Sequence, residues 1–353
     1  MVLNESPESE VLPFVSVVIP MRNEGDHIRP CLEAVLGQDY PADRVEILVV
    51  DGRSDDNSRE IVAEYIQQHP HLHLLDNPKR TTPSALNIGI KAARGQYIVR
   101  VDAHTVIAPD YVRRCVELLE TTAAGNVGGR MLPVGKSFFE QAVALCTTSR
   151  FGMGDSRFHY DTREQYVDTV YMGAFRRELF DKIGLFDESL IRNQDYELNY
   201  RIRKAGYKIL LSPNIISHYT PRSSLTALWR QYFQYGRWKV CTLQKHPASL
   251  RWRQTVPPLF VAGLVGSLLA GLAWPPAWWL FGGLAGAYLL ANLVASTISA
   301  RRGGWRYLPV LPLVFAIIHI GWGLGFWWGI ILIGTDYFIR RQIRQDEFAK
   351  DSF

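Results

Sequence analysis

The chain has 353 residues, 47% of them hydrophobic, and a formal net charge of +5. That length holds one sizeable α/β domain with an appendage. The charge is divided, with 25 Lys+Arg against 30 Asp+Glu in residues 1–220 and 14 against 4 in residues 221–353, so the basic character accompanies the apolar C-terminal runs and fits an anionic membrane face, not a nucleic-acid site.

Residues 1–14 are polar and acidic, with neither a basic nor an apolar leader region, and read as a tail without a signal peptide. Residues 15–19 form an apolar strand that ends at Pro20, and Arg22-Asn23-Glu24-Gly25 is the loop after it. Ile28, Leu32 and Val35 then recur at helical spacing. Residues 45–50 are a continuous apolar run, the mark of a strand covered on both faces. It ends in Asp51-Gly52-Arg53-Ser54-Asp55-Asp56, and Asn57-Ser58-Arg59-Glu60 reads as a capped helix start. A short strand at 72–75, a helix at 85–93 and a strand at 97–101 follow. Alternation of this kind predicts a largely parallel sheet with helices on both faces, sized for a nucleotide-like ligand. The four cysteines, Cys31, Cys115, Cys146 and Cys241, are scattered and form no close pair, which argues against a structural zinc site or a disulfide framework and fits a reducing compartment.

The strand at 97–101 runs into Asp102-Ala103-His104. In an open α/β sheet, ligands bind outside the carboxyl ends of the strands. In extended chain Asp102 and His104 point the same way. A carboxylate and an imidazole side by side suit a divalent cation such as Mn²⁺. The same two residues also suit a helix cap and a loop histidine, and Asp51 and Asp56 likewise suit turn formation and capping.

Three segments carry a resemblance. Val17-Val18-Ile19-Pro20-Met21-Arg22-Asn23-Glu24, then Val49-Val50-Asp51-Gly52-Arg53-Ser54-Asp55-Asp56, then Asp102-Ala103-His104 resemble the opening motifs of family 2 of the inverting nucleotide-sugar glycosyltransferases. The resemblance implies the GT-A fold, a Rossmann-like α/β domain. It implies that Pro20, Arg22, Glu24 and Asp51 contact base and ribose, with Asp102 on the donor side. A carboxylate accepting from a base N–H or a ribose hydroxyl is sound chemistry. The family often has a second acid after the first; here that position is Gly52. Asp-x-His is similar to the metal motif of the polypeptide N-acetylgalactosaminyltransferases, whose third ligand is a later histidine. His218 is the candidate here, giving the set Asp102, His104 and His218 around Mn²⁺ or Mg²⁺. An ordinary surface histidine is the alternative.

Residues 166–172 read as a strand, followed by Gly173-Ala174 and a helix at 176–183. Small residues at a strand end let a substrate approach the backbone, and Gly173 is the expected acceptor-side position. A helix from about 195 to 205 stops at Gly206, a C-cap signal. Asp195 therefore lies in a first turn, where a helix dipole also favours an acid. By the family match it carries the catalytic base, although Gln194 stands where an acid is usual. Glu197 is the runner-up. Direct displacement at the anomeric carbon needs one base and no covalent nucleophile. No Ser/His/Asp or Cys/His arrangement suggests one.

Residues 223–245 are dense in aromatic and basic side chains, as in a helix lying among lipid headgroups. Gln234-Tyr235-Gly236-Arg237-Trp238 matches the Gln-x-x-Arg-Trp motif of membrane-bound relatives, including cellulose and hyaluronan synthases. The match implies that Gln234 and Trp238 border the acceptor and that Arg237 contacts the diphosphate, which suits its fixed fork of donors. An aromatic and basic membrane anchor accounts for the same residues. Stretches 259–274 and 277–297 are charge-free and near the ~20 residues that span a bilayer. Arg251 and Arg253 precede the first, and Arg301, Arg302 and Arg306 follow the second. The positive-inside rule then puts the catalytic domain on the cytoplasmic face of the inner (plasma) membrane. A third stretch, 308–334, contains Gly321, Gly323 and Gly325. A full span would put Arg340, Arg341 and Arg344 on the far side, and a re-entrant hairpin near 319–325 would keep them inside.

The expected organisation is a polar tail (1–14), a GT-A domain (15–220), an amphipathic interface segment (221–255), a transmembrane region of two or three spans (256–340) and a basic tail (341–353). The layout resembles that of succinoglycan-type exopolysaccharide glycosyltransferases. The implied reaction moves a sugar from a UDP-sugar to a membrane-held acceptor such as a polyprenyl-diphosphate-linked saccharide. A processive polysaccharide synthase and a non-catalytic nucleotide-sugar-binding scaffold are the alternatives.

Overall fold

A computed structural model describes residues 12–333. The continuous apolar runs become strands buried along their whole length, β1 (Val15–Met21) and β2 (Val45–Asp51). Between them lies α1 (Ile28–Leu36), which buries Ile28, Cys31, Leu32 and Val35. α2 (Ser58–Ile66) follows, then β3 (Leu72–Asp76), α3 (Thr82–Ala92), β4 (Tyr97–Arg100), β5 (Thr105–Ile107), α4 (Tyr111–Thr121) and β6 (Ala124–Pro133). The N-terminus of α2 is bonded by Asp56, whose Oδ1 accepts from the Ser58 N–H at 3.0 Å, and not by the expected Asn57 side chain.

The sheet order is β3-β2-β1-β4-β8-β6-β9-β5, with β7 also on β9. Here β7 is Gln165–Val167, β8 is Ala174–Arg176 and β9 is Lys208–Tyr219. Strands β1 to β4 pair in parallel, so their carboxyl ends share one edge. Beyond β4 the sheet is mixed: β8 is antiparallel to both neighbours, β9 is parallel to β6, and β5 and β7 are antiparallel to β9. The parallel expectation thus holds for the N-terminal half. It lapses where β4 passes into β5 without a crossover helix, which parallel pairing would require.

The expected strand at 166–172 ends already at Val167, and the chain turns again further on. Met172 (φ 57°) and Gly173 (φ 105°) turn the chain into the left-handed region, and the next residues pair with β4 as β8 instead of opening a helix. The helix there is the shorter α7 (Glu178–Ile183), and α8 (Gln194–Lys204) follows with Gly206 at φ 89° just past its end. The sheet is covered on both sides. One core packs residues of α1, α2 and α4 against it, and the other packs residues of α3, α7 and α8.

A third core joins this domain to the apolar C-terminal part. It draws on α5 (Phe138–Thr147), α6 (Arg150–Met153), α9 (Leu225–Lys245), α11 (Ala277–Gly303) and α12 (Leu311–Ile333), and α10 (Trp252–Ala273) precedes α11 in the chain. α10, α11 and α12 are long and apolar enough to cross a membrane. α12 is one continuous helix, so of the two alternatives for this stretch the re-entrant hairpin near 319–325 does not form. Its glycines are a packing face. A Cβ at Gly325 would collide with the Phe233 carbonyl oxygen, and one at Gly329 would sit 3.0 Å from the Arg237 carbonyl oxygen. Glycine at four-residue spacing lets two helix backbones approach closely. α9 accordingly does not lie alone on a surface; it is clamped between α12 and the catalytic domain. Arg340, Arg341, Arg344 and the tail at 341–353 fall outside the described residues, as do residues 1–11.

Candidate active site

The site stands at the shared carboxyl edge of β1, β2 and β4. The loops after β1 and β2 are tied together by side chains at each step. Asn23 N–H donates to Ser54 Oγ (2.9 Å), Asp55 N–H to Asn23 Oδ1 (3.0 Å), Glu24 N–H to Ser58 Oγ (2.8 Å) and Gly25 N–H to Asp56 Oδ2 (2.9 Å). This zipper explains the Asn, Ser and Asp content of both motifs. Asp51 is wholly buried; its carboxylate accepts from Ser54 Oγ at 2.5 Å and from the Arg59 guanidinium. A Cβ at Gly52 would stand 3.2 Å from Arg22 Cβ and Cδ, so the stem of Arg22 occupies the space that a second acid would need. Arg22 Nε is buried without a partner. A buried donor with no partner costs free energy, which an anionic ligand at this edge would recover. Pro20 is buried in β1 beside Val50.

Asp102 is the hub. Arg100 Nε donates to its Oδ1 at 2.8 Å, and Tyr171 O–H donates to its Oδ2 at 3.0 Å. Burial alone would raise the Asp102 pKa, but Arg100 and then His104 outweigh it and hold the group below the usual carboxylate range. The backbone around it is fixed by the turn at 171–173. Asp102 N–H points to Met172 Sδ (3.3 Å), and Arg100 N–H donates to the Gly173 carbonyl (3.1 Å). A buried non-glycine residue in the left-handed region stores strain of about 1–3 kcal/mol, which the surrounding contacts must hold; Met172 is such a residue. At Gly173 a Cβ would collide with Asn126 Oδ1, so that position admits only glycine in this geometry.

His104 Nδ1 lies 3.1 Å from Glu24 Oε1. Burial would lower the His104 pKa, and the Glu24 carboxylate reverses that and raises it. Glu24 is 2% exposed. The carboxylate expected at the nucleoside is thus engaged with the histidine of the third motif. Carboxylate on one ring nitrogen, with the other left to a ligand, is the arrangement that orients metal-binding histidines.

Asp195 sits in the first turn of α8 with 25% of its side chain exposed. Arg100, 4% exposed, reaches it through Nη1, so one guanidinium bridges Asp102 and Asp195. Burial pushes the Asp195 carboxyl up to about 6; Arg100 opposes the rise and the Asp102 charge adds to it. α8 is held in place by Asn126 Nδ2 donating to Asn199 Oδ1 (2.7 Å) and by Asn193 Nδ2 donating to the Tyr235 carbonyl of α9 (3.3 Å). Glu197 is 1% exposed and takes Arg201 Nε (2.7 Å) and Nη2 (2.8 Å), with His246 Nε2 at 2.9 Å. Those contacts make Glu197 a brace between α8 and the segment after α9, and leave Asp195 as the acid open to a substrate.

The C-terminal motif lies on α9. Trp238 is 1% exposed, so its ring faces neighbouring side chains and not solvent. Arg237 stacks over that ring at 6.0 Å. Gln234 lies beside Tyr235, whose carbonyl anchors Asn193. His218 lies within β9 opposite Val106 of β5, two residues beyond His104, and its Nδ1 is buried without a partner. Among the described residues no three His, Cys, Asp or Glu side chains converge into a ready metal cage.

Sequence reasoning missed Arg100, Tyr171 and the Asn126–Asn199 pair. Arg100 leaves a signal: an arginine within a fully buried apolar strand, two residues before an acid and thus on its side.

Comparison with known proteins settles the family. The family model described as glycosyl transferase family 2 matches residues 16–184. The succinoglycan biosynthesis protein ExoA of Rhizobium meliloti (strain 1021) is 33% identical over 317 residues, 88% of this chain and 93% of that protein. The chain belongs to glycosyl transferase family 2. A second relative, the dolichyl N-acetyl-alpha-D-glucosaminyl phosphate 3-beta-D-2,3-diacetamido-2,3-dideoxy-beta-D-glucuronosyltransferase of Methanococcus voltae, is 29% identical over 90% of this chain and 97% of its own. In fold, the family 2 chain is similar to the mannosyltransferase PcManGT of Pyrobaculum calidifontis, solved with GDP-Man and Mn²⁺. The TM-score is 0.58, with 22% identity over 92% of this chain and 89% of the other. The fold is therefore of the GT-A type, and the protein is a glycosyltransferase with relatives in exopolysaccharide and lipid-linked glycan synthesis.

Proposed function

We propose that this chain is a membrane-held, inverting glycosyltransferase that moves one sugar from a UDP-sugar to a lipid-linked saccharide. The observation that carries the reading is the pair Asp102 and Asp195 joined by Arg100 at the carboxyl edge of the sheet. In this reading Asp102 serves the donor side and Asp195 the acceptor side, held in reach of each other by the Arg100 guanidinium. Asp195 takes the proton of the acceptor hydroxyl as that oxygen bonds to the anomeric carbon. The bond to the diphosphate breaks on the opposite face, and the nucleoside diphosphate leaves. Arg22, with its unpartnered Nε, and Arg237 are the cations proposed for the diphosphate, with Pro20 and Asp51 beside the nucleoside. Gly173, Gln234 and Trp238 are proposed to shape the acceptor side, Trp238 from behind the surface.

Asp102, His104 and His218 are the residues proposed to hold a divalent cation, although among the described residues they do not stand in a formed cage. Asp102 keeps lone pairs on both oxygens, Glu24 fixes His104 so that Nε2 is the ring nitrogen left to coordinate, and His218 Nδ1 is orphaned on the neighbouring strand. When bound, the ion would neutralise the charge of the departing diphosphate. His218→Ala is expected to weaken Mn²⁺ binding, read directly by the spin-resonance signal of free Mn²⁺ during titration. Unchanged affinity would remove His218 from the set.

The lipid-linked acceptor is supported by the name of the Methanococcus relative and by the three apolar helices. The test is mass spectrometry of products from detergent-solubilised protein given UDP-sugars and lipid extract, with Mn²⁺ or with EDTA. A lipid gaining one sugar, only with metal, is the expected result. A ladder of sugars would favour a processive synthase, and donor binding without product would favour a scaffold.

A further inference from the structure

We infer that α12 lies in the plane of the bilayer, within the leaflet that faces the catalytic domain, and that only the α10–α11 hairpin crosses. The inference rests on the membrane-held reading above and adds a topology to it. α12 has 23 residues, about 34 Å of helix, enough by itself to cross a ~30 Å hydrocarbon layer. Yet its first half is flanked by α5 and α6 of the domain that must stay in water, and its second half by α9, which rests on that domain. At its start, Cys146 Sγ of α5 contacts the Leu311 carbonyl at 3.8 Å. At its middle, the Phe315 ring meets Phe151 of α6 edge-on at 5.1 Å, and His319 Nε2 lies 2.8 Å from the Phe151 carbonyl. Near its end, Gly329 abuts Arg237 and Val240 of α9. One layer away, Lys239 Nζ sits 3.6 Å from the ring centre of Tyr196, the neighbour of Asp195. A helix crossing the bilayer would carry one end about 30 Å from the catalytic domain; here both ends touch it or its immediate support.

The hairpin behaves differently. Its two arms pack together, with Phe260 on Tyr288 at 4.6 Å and the Gly271 backbone against Trp278. α12 crosses the arms near their base. Trp327 Nε1 donates to the Pro258 carbonyl at 2.8 Å, and Asn292 Nδ2 donates to the Pro312 carbonyl at 3.0 Å. From Pro257 to Trp274 the helix rises about 25 Å, and the ~5 Å radius of α12 brings the reach to about 30 Å. That matches the hydrocarbon thickness. The tip carries Trp274, Trp278 and Trp279, which are 63%, 43% and 86% exposed. Tryptophan is enriched at such interfaces. The partner of the outer face of α12, where Trp328, Ile330 and Ile331 are exposed, is therefore the acyl layer of the near leaflet. Burial of polar contacts around α12 is consistent with that depth: Asn292, Tyr288 and His319 satisfy one another or a carbonyl.

The full chain, expressed in bacterial cells, tests this in two steps. Membranes washed with alkaline carbonate should retain the protein; release into the wash would overturn the membrane reading and the topology together. In retained protein, a reporter fused after Phe353 should report the side that holds the catalytic domain. Trp279→Cys should gain labelling, relative to the parent chain, from a membrane-impermeant maleimide added on the opposite side. A reporter on the opposite side makes α12 a third crossing and overturns the inference while leaving the transferase reading intact. Labelling of Trp279→Cys only from the catalytic side would overturn the crossing hairpin.

Discussion

Asp195→Asn is expected to abolish sugar transfer while donor binding persists. The substitution keeps size and shape and removes the group proposed to accept the acceptor proton, and a positioned base contributes about 10²–10⁴-fold. The pH dependence gives an independent reading. Burial raises the Asp195 carboxyl to about 6. Its folded-state value is above the ordinary one, so the group is protonated, and useless as a base, at pH values where a free aspartate is still ionised. Turnover of the parent enzyme should therefore be flat above about pH 6 and fall roughly tenfold per unit below it. Residual transfer near the parent rate in Asp195→Asn, or a flat profile down to the ordinary aspartate range, would move the base elsewhere.

Arg100→Met is expected to be nearly as damaging, through a different route. Arg100 is the shared counter-ion of Asp102 and Asp195. Removing one partner of a buried ion pair costs about 3–5 kcal/mol, because a charge is left without compensation. Asp195 is a quarter exposed, so the lower end of that range applies. Two consequences are measurable. Thermal stability in detergent should drop. The acid limb of the pH profile should move above about 6, since the guanidinium is what opposes the rise of the Asp195 pKa. Arg100→Lys supplies charge without the fork, and a single ammonium reaches one acid more readily than two; it should recover stability more than turnover. A stable Arg100→Met variant with the parent pH profile would mean that the bridge does not govern the base.

Much of the catalytic frame follows from local sequence. Three continuous apolar runs separated by helices, one ending at Pro20 and two at an acid, dictate a parallel sheet whose carboxyl ends meet. That alone gathers Pro20, Asp51 and Asp102. A first-turn acid before a glycine-capped helix likewise identifies α8 and Asp195. What the local pattern does not carry is which distant side chains answer one another. Glu24 and His104 are 80 residues apart, and Arg100 and Asp195 are 95 apart. The first pairing depends on how the loops after β1 and β4 meet, and the second on where α8 sits over the sheet, which the Asn126–Asn199 hydrogen bond helps to hold from a further strand. The same holds at the membrane. Composition shows that α12 is apolar, but a helix packed on glycine and aromatic faces and a helix packed on lipid need the same residues, because acyl chains and buried side chains are equally dry. Only the contacts at both of its ends separate the two.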